Sequence, residues 1–121
     1  MELLDIVRDT LDVAIVVCVK GEVDTSTVAA LGAELDAAVV EAQTHPARML
    51  IVDLDDVTYF GSAGLNALLD LAQSGEDGRV AVRLVASNAE VVRPIEVTGL
   101  GDVLRLYRSV AEALGPDEER R

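Results

Sequence analysis

A serine hydroxyl stands at a predicted strand-to-helix junction, in the segment Phe60-Gly61-Ser62-Ala63-Gly64. Such a hydroxyl supports two kinds of chemistry: it can attack an acyl group as a nucleophile, or it can accept a phosphoryl group and act as a switch. A third interpretation is purely structural, because serine often caps the N-terminus of a helix, a contact worth about 1 kcal/mol. These alternatives differ in the neighbouring groups that Ser62 needs.

A serine hydrolase is the least favoured of the three. Its nucleophile elbow has the pattern Gly-x-Ser-x-Gly, but Phe60 occupies the first glycine position. The general base would have to be His45, the single histidine, which precedes the predicted strand 49–54 whereas Ser62 follows it. That strand would hold the two side chains roughly 15–20 Å apart at ~3.3 Å per residue. A nucleophile and its base need a hydrogen bond of about 3 Å.

The other reactive side chains do not form a recognisable site. Lys20 is the only lysine and follows no glycine-rich loop, which excludes a phosphate-binding P-loop. Asp53, Asp55 and Asp56 offer oxygen ligands, but one cysteine and one histidine make no soft-ligand cluster. We therefore expect no bound metal and no cofactor.

Composition limits the class of partner. The 121 residues include 22 acidic and 10 basic ones, giving a net charge of −12, the opposite of the basic footprint of a nucleic-acid-binding protein. No apolar run is long enough to span a bilayer, and no leader pattern is present. The single cysteine, Cys18, fits a reducing compartment, and its apolar surroundings predict a buried, structural side chain. We expect a cytoplasmic protein that binds neither nucleic acid nor membrane.

Apolar runs predict the strands of one sheet. The first two runs are close in sequence and predict an antiparallel hairpin, whereas the others alternate with helices and imply parallel pairing. The predicted strands are 3–7, 13–19, 49–54, 80–86 and 103–107. The expected fold class is therefore α/β: one domain over residues 1–114, with a mixed sheet of about five strands and about four helices. The remaining residues, 115–121, are expected to be a disordered tail.

Helical periodicity and capping residues predict the helices. The first helix has an apolar stripe at helical spacing, made of Val28, Leu31, Leu35, Val39 and Ala42. The second follows its N-cap, Ser62, and ends near Gly75. The third begins with a capping box of Ser87 and Glu90 and is interrupted or kinked at Pro94. A short fourth helix, capped by Ser109 with Glu112 three residues later, closes the domain near Leu114.

Acidic residues are expected to gather near Ser62. Asp24 follows one predicted strand, while Asp53, Asp55 and Asp56 stand at the end of the next. Because the carboxyl ends of parallel strands meet at one edge of a sheet, these carboxylates should lead toward Ser62. A protein that docks there should present basic or hydrogen-bond-donating groups.

Three segments resemble the STAS domain family, and within it the small anti-sigma factor antagonists of bacteria. They are Gly21-Glu22-Val23-Asp24, the segment from Val52 through Gly61-Ser62-Ala63-Gly64-Leu65, and Thr98-Gly99-Leu100 with the strand and helix that follow it. The resemblance extends from Leu3 to Leu114. The predicted order of elements is also that of the family.

The resemblance implies a regulatory protein that is not an enzyme. The unphosphorylated form would bind an anti-sigma factor, which is also a serine kinase, and so release a sigma factor. The kinase would use ATP to phosphorylate the serine and end the complex, and a serine phosphatase would reset it. Ser62 matches the phosphorylated position and Asp24 matches the aspartate beside it. The implied partner-binding surface comprises Asp24, Gly61, Ser62, Ala63, Gly64 and Leu65.

Two positions depart from the pattern of the family. Gly61 replaces the usual aspartate before the serine, and Ala63 replaces a second hydroxyl residue found in many members. The second change leaves Ser62 as the acceptor in this segment. The first keeps a different interpretation open, in which the domain binds a partner or a nucleotide without being phosphorylated.

Overall fold

A five-stranded mixed sheet with strand order β1-β2-β3-β4-β5 organises residues 4–115, the part of the chain that the computed structural model describes. The strands are β1 (Leu4–Thr10), β2 (Ile15–Val23), β3 (Met49–Phe60), β4 (Ala81–Val85) and β5 (Leu106–Tyr107). β1 and β2 are antiparallel, and each later neighbour is parallel. The predicted α/β class and opening hairpin are confirmed. The predicted tail, apart from Gly115, lies outside the described residues.

Residues 4–115 contain four helices and one short 3-10 turn, and all of them except the last helix connect consecutive strands. They are α1 (Val28–Gln43), α2 (Ser62–Gly78), α3 (Ala89–Val97), the 3-10 turn Leu100–Asp102 and α4 (Val110–Ala113). α1 buries Leu31, Leu35, Val39 and Ala42 of the predicted stripe, because a 3.6-residue period places them on one face. α2 runs past the predicted end to Gly78 and stops where Arg79 adopts a left-handed conformation, φ 59°.

The two faces of the sheet have separate apolar clusters, because alternate residues of a strand point to opposite faces. In β2, Ile15 and Val17 belong to the main core, whereas Val16 belongs to a smaller cluster under α4. The buried guanidinium of Arg83 donates hydrogen bonds to the carbonyls of Ala113 and Gly115, and so fastens α4 to β4.

β3 is twice as long as predicted, since it runs on from Leu54 to Phe60. The register with β2 shifts twice, between Cys18 and Lys20 and between Gly21 and Glu22. At each shift β3 contains one extra residue. Bulges of this kind interrupt the alternation of buried and exposed positions, which is why the second half of β3 resembles a polar loop in the sequence.

The start of α3 differs from the predicted capping box. The N-cap is Asn88, and the N–H and hydroxyl of Ser87 instead donate to Oδ1 of Asp55, at 2.6 and 3.1 Å. The side-chain amide of Asn88 donates to the carbonyls of Leu54 and Val57, at 3.2 and 2.8 Å. These carbonyls lie where β3 continues beyond its pairing with β4. The helix also continues through Pro94, so the predicted interruption is wrong.

Cys18 is exposed, which contradicts the prediction of a buried side chain. It lies in β2 opposite Val7 of β1 and Asp53 of β3, on the face where α4 covers only the part nearer β4. Partial burial of the thiol and then the carboxylates of Asp53, Asp9 and Asp56 raise the pKa of Cys18. The residues around Cys18 are apolar as predicted, but other elements fully cover only one face of this part of β2.

Candidate functional site

The junction after β3 lies directly beside the junction after β2. Val23 and Phe60 are register partners at the ends of the two parallel strands, and the Gly61 N–H donates to the Val23 carbonyl at 3.1 Å. Asp24 and Gly61 therefore leave the sheet side by side. The parallel pairing of β2 and β3 brings the loop after Asp24 next to the first turn of α2, which carries Ser62.

α2 begins at Ser62, one residue earlier than predicted, so the prediction of Ser62 as the N-cap is wrong. Gly61 is the N-cap, in an extended conformation with φ −91° and ψ −175°. The Gly61 carbonyl accepts from the N–H groups of Gly64 and Leu65, at 3.0 and 3.2 Å. The exposed hydroxyl of Ser62 makes no hydrogen bond with any described residue. The hydroxyl is therefore accessible to solvent, and it does not cap the N-terminus of α2.

Gly64 sets how closely α2 approaches the sheet. A Cβ at Gly64 would lie 2.7 Å from Phe60 Cε1 and 2.8 Å from Val23 Cγ1, closer than side-chain carbons can approach. Glycine therefore allows the first turn of α2 to rest on the ends of β2 and β3. Leu65 packs half-buried against the main core. Within the predicted surface, Gly64 is buried and Ser62 is exposed, while Asp24, Ala63 and Leu65 are partly buried.

Hydrogen bonds hold the Asp24 carboxylate in place. Its Oδ1 accepts from the Ser26 hydroxyl at 2.7 Å, the Ser26 N–H at 2.9 Å and the Thr27 N–H at 3.2 Å. Thr27 is the N-cap residue of α1, but its hydroxyl donates to the Glu22 carbonyl at 2.8 Å. The hydrogen bond from the Ser26 hydroxyl, followed by that from the Ser26 N–H, lowers the pKa of Asp24.

The titration of Asp24 gives a direct check of this loop. Its folded pKa is lowered below the unfolded value of about 3.9. The contribution of the loop to stability is therefore full above that value and is lost as the pH falls through the folded pKa. We expect Ser26→Ala to raise the Asp24 pKa toward its ordinary value, as measured by NMR titration of the side-chain carboxyl. An unchanged pKa in the variant would contradict the assigned cause.

Tyr59 is a residue of this junction that the sequence analysis did not include. Its side chain is 53% exposed. A Cβ at Gly61 would lie 3.2 Å from the Tyr59 hydroxyl, so the phenol ring stands beside the N-cap. The sequence feature that could have indicated Tyr59 is its position directly before Phe60 and two residues before Gly61. An exposed aromatic ring adjoining the start of α2 is typical of a surface that contacts another protein.

The acidic residues of β3 do not reach Ser62. Because β3 continues to Phe60, Asp53, Asp55 and Asp56 lie within the strand, and the expected gathering of these carboxylates is wrong. Partial burial raises the pKa of Asp53. Among residues 4–115, no group of three or more His, Cys, Asp and Glu side chains is arranged to hold a metal ion.

His45 lies at the opposite end of β3 from Ser62. Its Nε2 is 2.7 Å from the Leu11 carbonyl, and its Nδ1 accepts from the Ala47 N–H at 3.0 Å. Both ring nitrogens are therefore engaged in the loop before β3. The structure does not bring His45 and Ser62 together as a catalytic pair.

Comparison with known proteins places the chain in a family. The STAS domain model matches residues 5–113. The chain belongs to the STAS domain family. It is 34% identical over 100 residues to the anti-sigma-F factor antagonist RsfB of Mycobacterium tuberculosis, a match that covers 82% of this chain and 77% of RsfB. None of the helices within residues 4–115 combines the length and apolar character needed to cross a membrane.

Solved structures share this STAS fold. An anti-sigma factor antagonist from Mycobacterium paratuberculosis superposes with a TM-score of 0.79 at 31% identity, covering 92% of this chain and 91% of that one. SpoIIAA in its unphosphorylated form gives a TM-score of 0.71 at 18% identity, with 96% of both chains covered. Bacillus SpoIIAA in its phosphorylated form gives 0.66 at 16% identity, covering 97% of this chain and 100% of that one. The relatives named here are anti-sigma factor antagonists.

Proposed function

We propose that this STAS domain is an anti-sigma factor antagonist whose binding is switched by phosphorylation of Ser62. The unphosphorylated protein binds an anti-sigma factor that is also a serine kinase, and thereby frees a sigma factor. The kinase transfers a phosphoryl group from ATP to Ser62 and the complex dissociates, while a separate serine phosphatase restores the hydroxyl. The protein itself acts by binding and catalyses no reaction.

The exposed, unengaged hydroxyl of Ser62 carries this proposal. A kinase substrate must present its acceptor oxygen to a foreign active site, and Ser62 presents one at the first position of α2. Asp24 lies at the adjoining strand end with its carboxylate held by the backbone of its loop. A partner can therefore contact both residues at once.

The first turn of α2 also explains how the fold can tolerate a phosphoryl group. The N–H groups at the start of a helix lack intrahelical partners, and the helix dipole favours negative charge at that end. A phosphoryl group on Ser62 would add about −1.5 to −2 charge at a solvent-exposed position. The fold is expected to persist, whereas a partner that fits the bare hydroxyl meets extra bulk and charge.

A kinase assay tests the assignment of the acceptor. The protein is incubated with ATP and each anti-sigma factor of the serine-kinase type encoded in the same genome, and mass spectrometry locates the added phosphoryl group. We expect it on Ser62, no phosphorylation in Ser62→Ala, and normal phosphorylation in Ser74→Ala. Ser74 is the matched control because it is a serine of the same helix, about three turns from Ser62 and outside the candidate site. Phosphorylation elsewhere, or none with any of these kinases, would overturn the proposal.

A further inference from the structure

A groove runs between α1 and α2 on their solvent side and has a volume of about 410 Å³. Buried Leu35 and Leu71 form its floor, and Gly32 and Ala63 lie on its sides. Asp36 and Asp70 stand exposed at its border. We call this depression the α1/α2 groove.

The α1/α2 groove opens from the candidate site. Ala63, in its lining, directly follows Ser62 in the first turn of α2. Asp70 lies seven residues further along, about 10 Å at a helical rise of ~1.5 Å per residue. The groove therefore has a near end at Ser62 and a far end at Asp36 and Asp70, separated by about two helical turns.

The lining of the groove has the chemistry of a docking surface. A Cβ at Gly32 would meet no atom within 4 Å, so the space above this glycine is open. The carboxylates of Asp36 and Asp70 form no ion pair with any residue between 4 and 115. An apolar floor bordered by two such carboxylates complements an amphipathic helix that presents apolar side chains together with arginine or lysine.

We propose that the α1/α2 groove receives an amphipathic helix of the anti-sigma factor, whose basic side chains pair with Asp36 and Asp70. This inference rests on the proposed function, because it names the part of that partner which docks beside Ser62. The helix would lie along the groove with one end against the first turn of α2. A phosphoryl group on Ser62 would then act at the end of the docked helix while the groove itself stays unchanged.

Filling the groove tests the proposal. Gly32→Met introduces a flexible side chain whose Cβ meets no atom within 4 Å, and Ala30→Met introduces the same side chain at an exposed position on the other side of α1. The anti-sigma factors of the serine-kinase type from the same genome are titrated by isothermal calorimetry, and the one that binds the unsubstituted protein is used. We expect Gly32→Met to weaken its binding by at least about tenfold and Ala30→Met to leave it unchanged.

The charged border is tested with the same partner. Asp36→Asn combined with Asp70→Asn should weaken binding and reduce its dependence on salt concentration, since exposed charge pairs are screened by salt. Circular dichroism should show an unchanged fold in every variant. Equal binding by Gly32→Met and the unsubstituted protein would overturn the groove proposal alone. Failure of every anti-sigma factor to bind the unsubstituted protein would overturn the proposed function, and the groove proposal with it.

Discussion

Ser62→Glu is expected to weaken binding to the anti-sigma factor by at least about 100-fold, because a partner surface that fits the bare hydroxyl would have to bury a larger side chain with an unpaired charge, which costs several kcal/mol. The added carboxylate projects from the exposed first residue of α2, where the native hydroxyl makes no hydrogen bond with residues 4–115. The effect therefore arises in the complex and leaves the free protein folded. Ser62→Ala, which adds neither charge nor bulk, should bind within about threefold of the unsubstituted protein, a difference below 1 kcal/mol.

A second charged variant shows whether the loss of binding depends on the position of the added charge or only on the net charge of the protein. The chain already has a net charge of −12, so one more carboxylate at any position also changes the overall electrostatic interaction with a partner. Gln73→Glu adds the same charge at an exposed position on the same helix, three turns from Ser62. Binding measured by calorimetry should fall sharply only in Ser62→Glu. Equal affinities of Ser62→Glu and Ser62→Ala would refute the switch, and equal losses in Ser62→Glu and Gln73→Glu would refute its location.

One substitution, glycine to alanine, should have opposite effects at two positions. Gly64→Ala is expected to lower the free energy of unfolding by about 1–3 kcal/mol, because its methyl group overlaps the buried side chains of Phe60 and Val23. Gly32→Ala meets no atom within 4 Å and should raise stability by roughly 0.5–1 kcal/mol, the usual gain inside a helix. Urea unfolding followed by circular dichroism measures both changes.

Gly64→Ala is also expected to slow the phosphorylation of Ser62. If α2 must shift to make room for the methyl group, Ser62 moves relative to Asp24, and phosphorylation by the kinase should slow by more than the loss of folded protein explains. A Gly64→Ala protein as stable as the unsubstituted one would show that the contact with Phe60 and Val23 does not set the position of α2.

The sequence could predict those elements of the fold that follow from regular spacing or from residues close in the chain. The stripe of α1 follows from a 3.6-residue period, and the cap of α4 follows from Ser109, whose hydroxyl accepts from the Glu112 N–H at 3.0 Å. Both depend on residues close in the chain. The hairpin of β1 and β2 is equally local, and the alternation of strands and helices was enough to predict parallel pairing for the rest.

Features that depend on distant residues could not be predicted. In the second half of β3, bulges interrupt the alternation of buried and exposed side chains. These bulges arise from the pairing of β3 with β2. Asn88 takes the cap position since its amide meets the carbonyls of Leu54 and Val57, more than thirty residues earlier. Cys18 is exposed because α4 is too short to cover its part of the sheet. The sequence predicted Ser62 and Asp24 as candidate site residues, whereas the exposure of Tyr59 and the open space at Gly32 depend on how distant segments pack.

The contacts of Asn88 with β3 have a consequence for the part of the strand that precedes Ser62. Within residues 4–115, the pairing of β3 with β4 ends at Asp53, and a buried carbonyl left without a donor costs free energy. The side-chain amide of Asn88 supplies donors to the carbonyls of Leu54 and Val57, two buried residues just beyond that point. One side chain therefore replaces the donors of a missing strand, and the stretch of β3 that leads to Ser62 is held by the start of α3.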